Sequence, residues 1–311
     1  MVDLLWPIKW LIELILVSFH TVFSSIGFSF DSGGSWVLAI VGLVLVVRAA
    51  LIPVFVRQIK SQRNMMLVQP QLAKLQKKYK GKTDRESRER FAKEQMALYK
   101  ETGSNPLSSC LPLILQMPIF ISLFYVLNGA QRNEAGVGVL NASLAQSFSQ
   151  AKLFGATLSD TFFGSDDINV KVIAAIMIVL MSSSQFITQK QIMAKNQNPE
   201  TQNSQFMRTQ KIMLYTLPAV FLFSGLTFPL GVMTYWLVSN FWTMGQQFIV
   251  IRNMPTPGSP AHKARQERLE RRGKLPKPET TPAIEEETPE PEVRQRNQPV
   301  SKNRSKKKKK K

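Results

Sequence analysis

The sequence predicts an all-α polytopic membrane protein. It has a five-helix transmembrane core, a cytoplasmic helical hairpin and an N-terminal interfacial amphipathic helix. Three observations carry this prediction. Five apolar runs of 17 to 23 residues punctuate a chain of 311 residues, and about 20 residues of helix suffice to cross a hydrocarbon layer of roughly 30 Å. Basic residues crowd alternate segments between those runs. The overall composition, 44% hydrophobic and 20% charged, therefore mixes two opposite populations rather than describing a globule. One cysteine excludes a disulfide framework and a Cys-rich zinc site, and two histidines, His20 and His262, leave little for metal or triad chemistry. The composition argues against a soluble enzyme, and no cofactor is expected.

The chain divides into an N-terminal segment 1–35, a core 36–252 and a tail 253–311. In the first, Lys9, Glu13, His20 and Ser24 fall at helical offsets that place them within about 60° of one another. They form a narrow polar stripe on an otherwise apolar helix over 4–30, with Trp6 and Trp10 nearby. This suits a helix lying in the outer interface, with His20 as an interfacial polar residue. A sixth span is the other reading, and Asp31-Ser32-Gly33-Gly34 serves as the turn in both. No secretory cleavage is expected, because a basic leading region and a small-residue cleavage site are both lacking before the first run.

The spans are residues 36–56, 107–128, 170–189, 212–228 and 229–251, each predicted to be helical because a membrane span must satisfy its own backbone. Pro53, Pro112, Pro118 and Pro218 inside them predict kinks. The last two spans form a tight hairpin around Phe228-Pro229-Leu230-Gly231. The fourth, at 17 residues, is short enough to suggest local bilayer thinning. Charge sets the orientation. Segments 57–104, 190–211 and 252–311 carry net charges of +8, +3 and +10, whereas 1–35 and 129–169 each carry −2. Basic loops remain inside, so the first span enters from outside and the C-terminus is cytoplasmic, in a multi-pass protein of the cell membrane.

In 57–104, Val68, Leu72, Leu75 and Tyr79 recur at helical spacing, as do Phe91, Ala92, Gln95, Leu98 and Tyr99. Lys80-Gly81-Lys82-Thr83 separates the two arms, and Thr83 through Glu86 matches a capping box opening the second. The predicted hairpin has basic outer faces, either simply solvated or meeting anionic lipid headgroups or an RNA-bearing partner such as the ribosome. The tail is rich in Pro, Glu, Lys and Arg and predicted to be disordered, with a short basic helix available around Ala261–Arg272. Its final Lys306–Lys311 run would attract phosphate of lipid or ribosomal RNA, unless it is merely solvated.

Arg48 is the most informative residue. It lies eight residues before the end of the first span, about 12 Å of helix, and none of the five spans contains Asp or Glu. Arginine at a span centre costs about 2.5–3.5 kcal/mol even on lenient insertion scales. A polar or water-filled interior is therefore expected around it. Ser182, Gln185 and Gln189 share a helical face, as do Trp236, Asn240, Thr243 and Gln247, and as do Ser109 and Gln116. Such stripes either join helices by hydrogen bonds or, together with Arg48, line an amphiphilic cavity opening to the cytoplasm.

These residues resemble the YidC/Oxa/Alb membrane protein insertase family over roughly residues 5–252. The likeness rests on a span with a mid-membrane arginine, a basic hairpin, and MALYKETGSNPLSSCLPLILQMPIF over Met96–Phe120. Further on come a span ending FITQK and the segment GVMTYWLVSN over Gly231–Asn240. The resemblance implies a hydrophilic groove, closed to the outside and open to cytoplasm and lipid, in which residues matching Arg48 and Trp236 lie. Many relatives have a hydroxyl residue one turn before the arginine, where this chain has Val44. Some also carry an N-terminal lipoprotein cysteine or a large outer domain, with no counterpart expected here.

The expected function is insertion and folding of integral membrane proteins without covalent chemistry. Arg48, Gln116, Ser182, Gln185, Gln189, Trp236, Asn240 and Thr243 form the substrate groove. The expected partners are nascent membrane proteins, the ribosome through tail and hairpin, a Sec translocon and anionic lipids. No Gly-rich phosphate-binding motif is present. An anion transporter or channel using Arg48, and a scaffold recruiting ribosomes or a translocon, are the competing readings.

Overall fold

The structure, a computed structural model, describes residues 4–103, 111–195 and 205–274. The motif residues Asn105, Pro106 and Leu107, together with Ser109, Cys110 and Lys306–Lys311, lie outside them.

Helix α1 (Trp6–Ser25) leads by a short turn into α2 (Gly33–Ala50), whose N-terminus is capped by the Ser32 hydroxyl accepting from Ser35 N–H. Helix α3 (Ile52–Tyr79) follows after Leu51 alone. Pro53 stands in its first turn, where proline is tolerated, and cannot supply the N–H that would continue α2. The expected span 36–56 is therefore broken. Its first part is α2 and its last residues begin a 28-residue helix that carries on as the first hairpin arm. The second arm is α4 (Arg85–Glu101). Its N-cap is Asp84, whose carboxylate accepts from Ser87 N–H at 2.8 Å, rather than the expected Thr83. Gly81, at φ +84°, makes the intervening turn. The two arms meet through Tyr79 on Phe91 and through Glu94, which accepts from Lys78 Nζ and Tyr79 Oη.

Helix α5 (Leu111–Gln131) is followed by α6 (Ala142–Gln150) and a two-stranded antiparallel ribbon, β1 (Lys152–Leu153) and β2 (Ala156–Thr157). Then come α7 (Ile168–Lys195), α8 (Gln205–Gly225), α9 (Leu230–Asn253) and α10 (Pro260–Glu270). Helix α8 has 21 residues, beginning before the apolar run 212–228 and ending at Gly225 within it. Residues 254–259, expected to be disordered, instead turn back with Pro255, Thr256 and Ser259 buried, and Thr256 Oγ1 lies 3.3 Å from Met66 Sδ of α3. Leu269–Lys274 belongs to a separate C-terminal unit and closes with Lys274 N–H on the Leu269 carbonyl.

Two apolar cores organise the bundle. One joins α1, α2, α5, α6 and α9 around Trp36, Leu43, Leu123, Leu127 and Phe148, all nearly inaccessible. The other joins α7 to α9 around Ala174, Ile178, Met181 and Met233. Outside these cores, large apolar side chains remain exposed along the helices, among them Leu45, Ile114, Ile176, Val179, Leu222, Phe223 and Ile249. A soluble protein rarely leaves so much apolar surface uncovered; lipid accounts for it. Four described helices are long and apolar enough to cross a membrane: α1, α2, the Ile114–Gln131 part of α5, and α7.

The polar stripe of α1 exists, but it faces protein. Glu13 and His20 are fully buried. The Glu13 carboxylate accepts from the backbone N–H groups of Val137 and Gly138, each at 2.8 Å, and of Leu140 at 3.4 Å. His20 stacks on Trp36 and meets the Phe30 carbonyl through Nε2 at 2.9 Å. Its expected interfacial place is thus corrected. Periodicity located the stripe, and the loop after α5 covers it.

Candidate functional site

The expected groove residues sort into three places. The first joins α2, α5 and α9. Because α2 stops at Ala50, Arg48 occupies its last turn rather than a mid-helix position. The negative end of the helix dipole lies beside it, worth about 0.3–1 kcal/mol to a cation. Its guanidinium carbon is 5.7 Å from the Phe55 ring centroid, adding about 0.5–1 kcal/mol. Among the described residues, no carboxylate forms an ion pair with Arg48.

Tyr235 of α9, which sequence reasoning missed, lies within electrostatic reach of Arg48 and is buried. Its hydroxyl accepts from Gln116 Nε2 of α5 at 2.8 Å. Arg48, Tyr235 and Gln116 thus bring three helices to one polar locus. The missed signal was the neighbouring residue itself: Trp236 drew attention as the aromatic, while the face carrying Tyr235 points to the arginine. Farther along α9, the Nδ2 of half-buried Asn240 has no hydrogen-bond partner among the described residues, and Thr243 donates to the Ser239 carbonyl of its own helix. On α3, Gln58 is 3% exposed with neither amide atom partnered among the described residues. Buried polar atoms left unpaired cost about 1–3 kcal/mol each, which makes them sites where water or a ligand completes the bonding.

The second place is the seam between α7 and α8. Ser182 Oγ donates to the Pro218 carbonyl at 3.4 Å, and Gln189 Nε2 to Gln210 Oε1 at 3.3 Å. Gln185 is half-buried on the same helix. Here the polar residues join helices, as neutral polar groups commonly do in bundles.

The third place is an aromatic cluster. Trp236 stacks on Phe120, with ring centroids 5.0 Å apart, and meets Phe228 and Phe221 edge-on at 4.9 and 5.5 Å. It packs against both apolar cores and so joins them. Above it, the backbone N–H groups of Leu230 and Gly231 bond the carbonyls of Asp160 and Leu158, tying the α8–α9 turn to the loop that follows β2.

Among the described residues no cluster of His, Cys, Asp or Glu suited to a metal is found.

Residues 28–257 match the model of the family described as 60Kd inner membrane protein. The chain is 46% identical over 274 residues to the membrane protein insertase YidC of Streptomyces avermitilis, covering 85% of this chain and 61% of that protein. It is 40% identical over 314 residues to the protein of the same name from Tropheryma whipplei, covering 98% and 96% of the two chains. A third relative with that name, from Bifidobacterium longum, is 36% identical over 91% of this chain and 86% of its own.

Proposed function

The chain belongs to the 60Kd inner membrane protein family, that of the YidC membrane protein insertases, and we propose that it inserts and helps fold client membrane proteins through the polar locus around Arg48. The observation that carries this mechanism is a single one: a half-buried guanidinium in a bundle of apolar helices, unpaired by any described carboxylate, next to Tyr235 and Gln116. A client's short acidic outer segment must leave water to cross. In a low-dielectric surround, one opposite charge a few ångströms away is worth several-fold more than in water. Arg48 lowers that cost, and the orphaned amides of Gln58 and Asn240 offer hydrogen bonds to client backbone or to water carried with it.

The client's own apolar span supplies the driving free energy when it leaves for lipid. Nothing in this sequence of events breaks a covalent bond. The groove opens to cytoplasm and lipid, with α3 and α4 forming a cytoplasmic hairpin over it and the chain's C-terminus on the same side. The basic hairpin and tail meet the ribosome and anionic lipid, and a Sec translocon works alongside.

The test is insertion of a single-span client by purified protein in liposomes. With Arg48→Ala, insertion of a client bearing two or three acidic residues in its outer segment falls by roughly tenfold, equivalent to about 1.4 kcal/mol, while a client with a neutral segment is little affected. Equal rates for both clients in both proteins would remove Arg48 from the mechanism. Cysteines placed singly at Gln185, Gln189 or Asn240, in a Cys110→Ser background, report access for an impermeant thiol reagent. Labelling at 240 with protection at 189 matches a wet locus near α9 and a closed α7–α8 seam; protection of all three contradicts a groove.

A further inference from the structure

A cavity of about 330 Å³ lies where α7, α9 and α10 end or begin, apart from the Arg48 locus. Its walls are mostly apolar and carry three cations. Lys195 closes α7, Arg252 stands in the last turn of α9, and Arg268 reaches in from α10. Arg268 is held there by an Nη2 hydrogen bond of 2.6 Å to the Arg252 carbonyl. Phe248 and Ile251, one turn back on α9, and Ala261 of α10 supply the apolar part. Among the described residues no Asp or Glu lines the cavity and none of the three cations forms an ion pair. Pro260 and Ala261 line it too, so the positive end of the α10 dipole opens onto the same space.

We propose that this cavity binds one anionic glycerophospholipid, its phosphate among Lys195, Arg252 and Arg268 and its chains descending along α9. Three like charges within one small cavity repel each other and invite an anion. The ligand's shape follows from the other wall. A free phosphate would use the cations and leave the exposed Phe248 ring wet, whereas a lipid covers it. Phe248 and Ile249 are also 53% and 58% exposed on α9, giving acyl chains an apolar track leading away from the cations. The inference rests on the reading of this chain as a membrane-embedded insertase with these helix ends at the cytoplasmic surface, where anionic headgroups are concentrated. A lipid wedged there would pin α10 and the end of α9 to the membrane plane at the mouth of the client path.

The test uses the full chain in nanodiscs containing equal amounts of phosphatidylglycerol and phosphatidylcholine, released and weighed by native mass spectrometry. The wild type retains phosphatidylglycerol selectively. Lys195→Gln and Arg252→Gln, neither of which removes a side-chain hydrogen bond seen in the structure, each weaken that retention about fivefold, the effect of one cation near a charged surface. The double variant retains one phosphatidylglycerol fewer than wild type. Unchanged retention in the double variant overturns the inference. Competition by 10 mM inorganic phosphate as effective as that by short-chain phosphatidylglycerol would mean an ion site instead and also overturns it. Client insertion is measured on the same preparations: a wild type that selects lipid but inserts nothing would instead undo the insertase reading.

Discussion

Two charged side chains inside this bundle are treated in opposite ways. Glu13 of α1 is completely buried and accepts three backbone hydrogen bonds from the loop after α5. Two turns along α1, His20, Trp36, Ser147 and the Phe30 carbonyl form a separate network in which Trp36 Nε1 donates to Ser147 Oγ, and Ser147 donates to Phe30. Arg48 of α2 is half-buried, held by a ring face and a helix end, and has no described carboxylate. The first charge is satisfied within the protein and acts as a fastener. The second is left under-compensated, which is what a site for a passing anionic segment requires. A buried charge by itself therefore says little about function; whether its partners are supplied internally says much more.

Stability measurements break or sharpen that contrast most strongly at Glu13. Glu13→Ala leaves the N–H groups of Val137, Gly138 and Leu140 without their acceptor, and a loss of about 3–5 kcal/mol is expected. Thermal unfolding in detergent reads this as a large drop in midpoint. Arg48→Ala, melted beside it, should change by less than about 1 kcal/mol, since the charge removed was not internally paired. If Arg48→Ala is the more damaging of the two, the contrast is reversed and Arg48 is a structural residue. Gly138→Ala attacks the same fastener from the other side. A Cβ there would run into the Trp10 ring and crowd the Glu13 carboxylate, so a substantial part of the Glu13→Ala loss should reappear.

Sequence periodicity located both charges yet misjudged their surroundings, for different reasons. The stripe of Lys9, Glu13, His20 and Ser24 is a local property of one helix, and helical spacing finds it. What lies against Glu13 is a loop more than 120 residues away, and His20 meets Phe30 and Trp36; no helical pattern encodes either neighbour. For Arg48, the apolar run continues to Val56 without a polar interruption, so hydropathy places the residue deep in a span. Pro53 ends α2 instead, and only its missing N–H betrays the boundary. Apolar runs marked where most helices lie because burial in lipid or core is a per-residue property. Tyr235 escaped because its importance comes from Gln116 and Arg48 on two other helices. The groove residues separated into three places for the same reason: a shared helical face fixes direction but not the neighbour it meets.

Tyr235→Phe is the next smaller probe. It deletes the acceptor of the Gln116 amide without altering ring packing, for an expected loss of about 1 kcal/mol in stability. If Arg48 meets the client as proposed, the variant's effect on insertion of acidic clients should exceed its effect on neutral ones, because the phenol lies within electrostatic reach of that guanidinium. A uniform fall for both client types would mean that Tyr235 only supports the bundle.

The smallest expected effect lies outside the membrane, where charges face water and pairing matters least. Glu94 of α4 accepts from Lys78 and Tyr79, and these hydrogen bonds hold its carboxyl below the ordinary value. A carboxyl lowered in the folded state stabilises the hairpin fully above its unfolded pKa, and that contribution disappears as pH falls through the lowered one. Hydrogen exchange of the α3–α4 amides near Tyr79 and Phe91 should therefore be steady at neutral pH and lose protection only once the solution is more acidic than about pH 4. Glu94→Gln should remove that acid step and change little at pH 7, because an exposed pair is screened by water and contributes little. Were protection near Tyr79 to collapse at neutral pH in Glu94→Gln, the hairpin would depend on a charge as completely as the loop after α5 depends on Glu13, and exposed and buried charges in this protein would follow the same rule.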